Sequence, residues 1–407
     1  MQKNKKGKKY ILLVGDGMAD YPLKELGEKT PLEVAKTPNM DRIASCRIGQ
    51  VKTIPEGMQP GSDIANLSLL GYDPGAYHTG RSPLEAASMG VKLKNDDIAF
   101  RMNLVTLGWK SDHDIYMRSH SSGDISTEES KLIVEDLKKD FVIPGVEIYC
   151  GVAYRHLFVW EHGPEQAETI PPHDFLDQNI APYLNKTGKN PVPGLIRRSW
   201  RLLENHPVNI ERRRKGLKEA NSIWLWGQGK APKIPLFHDK FGLSGGVISA
   251  VDLLKGIGIY VGFEAIPVEG ATGYLDTNFA GKAEAALKGL ERFDFLMVHV
   301  EAPDEAGHEG NIEEKIKAIE AFDEKVVGVI LSGMDAFDDF RIMVASDHYT
   351  PIIKRTHTTE PAPFAWAGKD ELAAIQRGQG FSEESSRASG LFFERGFDLM
   401  PAFLGIS

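Results

Sequence analysis

Short, near-continuous apolar runs alternate along this chain with longer stretches in which apolar residues return every three or four positions. Tyr10–Val14, Phe295–Val300 and Arg341–Ala345 are the clearest of the short runs. With no polar alternation, such runs suit buried strands of a parallel sheet better than a two-faced antiparallel one. From Asn311 to Leu331 the pattern changes period. Ile312, Ile316, Ile319, Phe322, Val326, Val329 and Ile330 recur with charges between them, which predicts one helix. Thr37-Pro38-Asn39 before Met40 predicts a helix start with Pro in the first turn. Strands alternating with helices predict an α/β fold with helices on both faces of the sheet.

The middle of the chain reads differently. Glu161 to Pro193 is rich in Pro, His and Asn, and a basic cluster follows at Arg212-Arg213-Arg214-Lys215. An apolar strand at Ser222–Trp226 then runs into Gly227-Gln228-Gly229. The expectation is a discontinuous first domain, residues 1–97 and 236–407, with a second domain inserted at 98–235.

At 407 residues the chain is long enough for two domains, and its composition is that of a packed globular protein. A formal net charge of −9 argues against nucleic acid as a partner, since a phosphate backbone needs Lys and Arg in excess. A small anionic substrate needs only a few local arginines. Two cysteines, Cys46 and Cys150, are too few for a disulfide framework or a cysteine-based zinc site. The basic stretch Met1–Lys9 leads into an apolar run too short for a signal peptide, and nothing reads as a membrane span. These features predict a cytoplasmic protein; oligomeric state is not legible, and a homo-oligomer is compatible with the sequence.

Acidic and imidazole groups cluster just after the expected strands, where an open α/β sheet places its ligands. Asp16 follows the first strand; Asp304 and His308 follow the run ending at Val300. Asp347 and His348 follow Ala345, and His357 lies nine residues beyond His348. Ser62 precedes a helix-like run at Ile64–Leu70, where exposed N–H groups and the helix dipole favour an anion. Taken singly, each has an ordinary explanation: a turn, an N-cap, a helix-stabilising pair. Together they offer the oxygen and nitrogen donors that suit two divalent cations flanking a phosphoryl group, with serine as nucleophile.

The order Asp16, Ser62, Asp304-x-x-x-His308, Asp347-His348, His357 resembles the alkaline phosphatase superfamily. The segments GDGMADYP, TPLEVAKTPNMD, QPGSDIANLSLLGYDP, TGRSPLEA, GATGYLDTN, EAPDEAGHEG and DHYTPI narrow the resemblance to the cofactor-independent phosphoglycerate mutases of the short archaeal type. That resemblance implies an alkaline-phosphatase-like α/β core with an inserted α+β lid domain that carries substrate. It implies one metal on Asp304, His308 and His357, and another on Asp16, Asp347, His348 and the Ser62 oxygen. Mn²⁺ is the first expectation, with Zn²⁺, Co²⁺ or Mg²⁺ as alternatives and no 2,3-bisphosphoglycerate. The implied reaction interconverts 3- and 2-phosphoglycerate through a phosphoserine, a step of glycolysis and gluconeogenesis acting on a small phosphorylated substrate. Substrate contacts are expected from Arg81, His120, Arg155 and Lys240, with Arg212 and Arg213 as further candidates. Two other activities fit the same residues: a homoserine kinase-like phosphotransferase, as proposed for some bacterial relatives, or a metal-dependent phosphatase or phosphodiesterase. No G-x-x-x-x-G-K-[ST] phosphate loop is present, so a kinase here would use the same residues.

Overall fold

The computed structural model describes residues 7–186, 190–374 and 378–406, so most of the basic N-terminal stretch lies outside the described residues. In chain order the strands are β1 (Lys8–Gly15), β2 (Ile48–Val51), β3 (Asp97–Ser111), β4 (Asp114–Ser119), β5 (Val146–Tyr149), β6 (Arg155–Glu161) and β7 (Ser222–Gly229). They continue with β8 (Gly245–Ile248), β9 (Glu264–Ala265), β10 (Phe295–Val300), β11 (Asp339–Ala345), β12 (Ala362–Gly368) and β13 (Phe392–Phe393). The chain divides into two compact units, Met1–His78 with Lys233–Ser407, and Thr79–Pro232. The second unit therefore begins well before the expected residue 98. The reason is the Arg81–Ser88 helix, which packs on β3 and β7 and whose Ser82 hydroxyl donates to the Gly227 carbonyl at 2.6 Å.

In the first unit an eight-stranded sheet runs in the order β13-β2-β12-β11-β1-β10-β8-β9. The three apolar runs become its adjacent strands β11, β1 and β10, parallel to one another. Every residue of β10, and Ile11–Val14 of β1, is buried, which is why neither run alternates. β12 runs antiparallel to both β11 and β2, making the sheet mixed. Register aligns Val14 with Ala345 on one side and with His299 on the other. The loops that follow β1, β10 and β11 thus leave the sheet at the same edge.

The helix expected across Asn311–Leu331 is present but interrupted. Asn311 caps it by accepting from the Glu314 N–H at 3.2 Å, and Ile312–Phe322 is α-helical. A π-helical turn follows at Asp323–Val327 before helix resumes at Gly328–Met334. Its carboxylate explains the local geometry, because Asp323 accepts the N–H groups of Met40 at 2.7 Å and Asn39 at 3.2 Å. Those bonds cap the Pro38–Ala44 helix from outside; Pro is in its first turn, while the Thr37 side chain makes no cap bond.

The second unit is α+β. Its five strands are antiparallel, with the long β3 pairing β4, β6 and β7, and β5 pairing β6. Phe100, Phe158, Trp224 and Leu225 lie in a core of its own. Among the described residues no helix is long and apolar enough to cross a membrane, and both cysteines are free thiols.

His156, on β6, gives this unit a pH dependence. Its Nδ1 accepts the Gly151 N–H at 3.1 Å, its Nε2 has no partner among the described residues, and burial pushes its pKa down to about 4. An unfolded chain takes up a proton on this ring near pH 6.5, whereas the folded unit resists until near pH 4. Stability from the neutral ring is thus full above pH 6.5 and lost as pH falls through 4, by roughly 3 kcal/mol. Melting curves of the native chain and His156→Gln between pH 4 and 7 should converge as pH falls, since the variant lacks this penalty. Parallel curves would contradict the assignment.

Candidate metal centre

All seven residues expected at the metal site lie in the first unit, and the structure brings them together. Ser62 is the first residue of the Ser62–Leu69 helix, with Gly61 as its N-cap and no side-chain cap bond. Its hydroxyl is therefore not spent on capping. Ser62 Oγ lies 3.2 Å from His348 Nε2, which is 3.3 Å from Asp16 Oδ1 and 3.6 Å from Asp347 Oδ2. Asp347 Oδ2 accepts from Asn66 Nδ2 at 2.7 Å, one turn along the same helix; Oδ1 accepts the N–H groups of Gly17 and His348. Gly17 is in the left-handed region at φ +58°, and a Cβ there would stand 2.5 Å from Asp304 Oδ1. No other residue fits that turn without pushing the carboxylate aside.

Beside this group, Asp304, His308 and His357 converge. His308 Nε2 is 3.0 Å from His357 Nε2 and 3.2 Å from Asp304 Oδ2, while His357 Nε2 is 3.4 Å from Asp304 Oδ1. His348 stands between the two groups, since its donor atom also comes within 4.8 Å of those of Asp304 and His357.

Hydrogen bonds on the far ring nitrogens orient the near ones. His308 Nδ1 lies 3.0 Å from the Arg355 carbonyl, an acceptor only, so Nδ1 carries a proton and Nε2 faces inward. His348 Nδ1 lies 3.2 Å from Thr350 Oγ1, whose own proton goes to Asp304. The network therefore assigns Nδ1–H here too, with Nε2 open. His299 is the opposite case. Its Nε2 faces the Asp16 carboxylate, an acceptor, and so carries the proton, which leaves Nδ1 to accept from Ser249 Oγ at 3.3 Å. Nε2–H then donates to Asp16 Oδ2 at 2.9 Å. His299 thus steadies one oxygen of Asp16 and leaves the other free.

That free oxygen is the clearest electrostatic signal. Asp16 Oδ1 is buried and makes no hydrogen bond among the described residues. Burial, and after it the charges of Asp347, Asp304 and Glu301, raise the Asp16 pKa well above the usual carboxylate range. Three buried carboxylates facing inward-turned imidazole nitrogens are an environment that a divalent cation would relieve. The donor set fits such ions.

The expected substrate residues fare unevenly. Lys240 donates to the Gly71 carbonyl and lies over the Tyr72 ring, beyond the far end of the Ser62–Leu69 helix. It is not brought to the cluster. Arg212 is buried and saturated, paired with Glu129 and donating to the carbonyls of Lys218 and Ser122, so it holds the second unit together. Arg213 is exposed and pairs with Glu219 at 3.3 Å. Arg81, His120 and Arg155 instead belong to a cationic and aromatic group in the second unit. Its centre is Arg101, 4.4 Å over the Trp226 ring and 3.0 Å from Glu85. Burial, with Arg81 and Arg155 adding to it, lowers the Arg101 pKa against the pull of Glu85. His120 packs edge-on to Tyr154 and to His173, and His173 to Trp226.

Sequence reasoning missed His299, Asn66 and Arg101. His299 interrupts an otherwise apolar strand, and that interruption was the available signal; Arg101 lies in a strand of mixed composition that gave none.

Comparisons with known proteins identify what this chain is similar to. Residues 44–209 match the family described as 2,3-bisphosphoglycerate-independent phosphoglycerate mutase, and residues 173–366 match type I phosphodiesterase / nucleotide pyrophosphatase. A Geobacter sulfurreducens protein named "Probable 2,3-bisphosphoglycerate-independent phosphoglycerate mutase" is 51% identical, over 97% of this chain and 99% of its own. A Methanosarcina acetivorans protein named 2,3-bisphosphoglycerate-independent phosphoglycerate mutase is 49% identical over 96% and 98%. A solved structure from Pyrococcus horikoshii aligns with a TM-score of 0.81 at 31% identity, covering 98% of this chain and 97% of that one.

Proposed function

This chain belongs to the 2,3-bisphosphoglycerate-independent phosphoglycerate mutase family, and from that premise we propose that it interconverts 3-phosphoglycerate and 2-phosphoglycerate through a phosphoryl group carried on Ser62. The observation that carries this reading is the position of the Ser62 hydroxyl, uncommitted to capping and 3.2 Å from an inward-turned His348 Nε2.

Asp304, His308 and His357 would hold one divalent cation; Asp16, Asp347, His348 and the Ser62 oxygen would hold the other. Mn²⁺ is the proposed ion; mixed carboxylate, imidazole and hydroxyl donors accept Zn²⁺, Co²⁺ and Mg²⁺ as well. When bound, such ions lower the serine hydroxyl's pKa and offset charge on a phosphoryl group. Ser62 Oγ gives up its proton and forms its bond to phosphorus as the bond from phosphorus to the substrate's 3-oxygen breaks, and that oxygen takes up a proton, so the step is proton-neutral. The 2-hydroxyl of the resulting glycerate then reverses the step, losing its proton as Ser62 is released. Because the returned phosphoryl group is the substrate's own, no 2,3-bisphosphoglycerate is needed as donor. The N–H groups at the start of the Ser62–Leu69 helix favour the negative phosphoryl oxygens. Arg81, Arg101 and Arg155 give the second unit the cationic character that an anionic substrate calls for, with His120 proposed as a neutral contact beside them.

A paired assay tests the reading. With Mn²⁺ supplied, 3-phosphoglycerate should be converted to 2-phosphoglycerate, and homoserine with ATP should give no product. Phosphorylation of homoserine would favour the kinase, and release of inorganic phosphate faster than isomerisation would favour a hydrolase.

A further inference from the structure

Beneath the ligand cluster a lysine and an aspartate are sealed from solvent. Lys315, on the Ile312–Phe322 helix, is 0% exposed, and Asp20, in the loop after β1, is 1% exposed. Lys315 Nζ stands 2.7 Å from Asp20 Oδ2, and also donates to the carbonyls of Thr350 at 2.8 Å and Ala19 at 3.4 Å. The Asp20 carboxylate accepts the N–H groups of Tyr21 at 2.8 Å and Ile352 at 3.1 Å. Asp20 N–H donates to Glu383 Oε1 at 2.9 Å, and Glu383 Oε2 accepts from Thr30 Oγ1 at 2.8 Å. Both charges are therefore fully bonded, and neither takes part in the chemistry above.

A buried ion pair contributes little net stability, because desolvating two charges offsets most of their attraction. What this pair does supply is a junction. It joins the β1 loop, four residues beyond Asp16, to the β11 loop that carries Asp347 and His348. It also ties both loops to the helix that directly follows the Ala302–Glu309 helix, home of Asp304 and His308. Thr350 is the connecting residue. Its carbonyl accepts from Lys315, its N–H donates to Ala19 O at 3.2 Å, and its hydroxyl reaches Asp304 Oδ1 and His348 Nδ1. Only Thr350 separates the Lys315 ammonium from a member of each ligand group.

We propose that the buried Lys315–Asp20 pair is a clasp that positions both ligand groups, so that it sets the affinity of the centre for divalent cations. The proposal rests on the two-metal reading. Groups bonded directly to metal ligands change metal affinity about 10- to 100-fold when removed; the pair stands one residue behind such a group, Thr350, so an effect at the lower end, about 10-fold, is expected.

The test uses the full chain as Asp20→Asn/Lys315→Met. Asparagine keeps acceptors for the Tyr21 and Ile352 N–H groups, and its amide can donate to a carbonyl that Lys315 vacates. Methionine replaces the lysine stem without charge. Thermal melting of metal-free protein should change by no more than about 5 °C. Calorimetric titration with Mn²⁺ should show a Kd raised about 10-fold, and activity should return as Mn²⁺ is raised. An unchanged Kd in a folded variant would overturn the clasp and leave the metal reading intact. If the native chain itself binds no Mn²⁺, both fall. Should the double variant fail to fold, Thr350→Val removes the connecting hydroxyl and leaves the pair intact; it too must weaken Mn²⁺ binding, and unaltered binding would overturn the proposal.

Discussion

Ser62→Ala is expected to reduce mutase turnover by at least about 10⁴-fold, the scale on which an enzyme loses its nucleophile. The side chain is partly freed for this role by the backbone around it. Gly61 takes the N-cap, so the serine hydroxyl satisfies no helix N–H and faces His348 instead. Removing one oxygen at a site already held by Asn66, Gly17 and the His348 N–H around Asp347 leaves those bonds in place. The variant should therefore fold normally and keep most of its metal affinity. Circular dichroism, Mn²⁺ titration and a coupled mutase assay on one preparation would check all three. Residual isomerisation within tenfold of the native chain would remove Ser62 from the mechanism.

Chelation should have an effect of similar size, and a second one on stability. Without cations, Asp16, Asp304 and Asp347 remain buried close to one another, and burial with its neighbours' charge pushes the Asp16 pKa well up. A cation present at 100 times its dissociation constant stabilises the fold by about 2.7 kcal/mol. Chelator-treated protein should thus lose activity to background, melt at lower temperature, and recover both on adding Mn²⁺. Sign follows from the raised carboxylate pKa. Binding displaces a proton from Asp16, so metal affinity should rise with pH and fall in acid. Full activity after exhaustive chelation would refute the metal centre.

Much of this architecture was legible because its signals are local. β1, β10 and β11 are continuous apolar runs since both their faces are covered, and their ends carry the charged residues. What escaped were features made by partners distant in sequence. The π-helical turn at Asp323 answers to Asn39 and Met40, 284 and 283 residues away. Arg212 looks like its exposed neighbours Arg213 and Arg214 until Glu129 and Ser122 fold against it. Lys240 followed the wrong analogy: its ammonium is satisfied at Gly71 and Tyr72, a helix length from Ser62. The apolar run that revealed β10 also concealed His299 within it, and β3, which carries Arg101, was not read as a strand at all.

The residues expected as metal ligands were easier to pick out because chemistry restricts their type. Asp, His and Ser after strand ends are few, and the fold brings seven of them to one sheet edge. Which nitrogen of each ring faces inward depended on acceptors such as the Arg355 carbonyl, which no spacing rule could supply.

The most direct measurement is a rapid acid quench of the Mn²⁺-loaded enzyme mixed with 3-phosphoglycerate labelled in its phosphate, followed by peptide mapping. Label should appear on the peptide bearing Ser62 within the first turnover and fall away as product is released. Isomerisation with no label on that peptide at any time would contradict a phosphoryl group carried on Ser62.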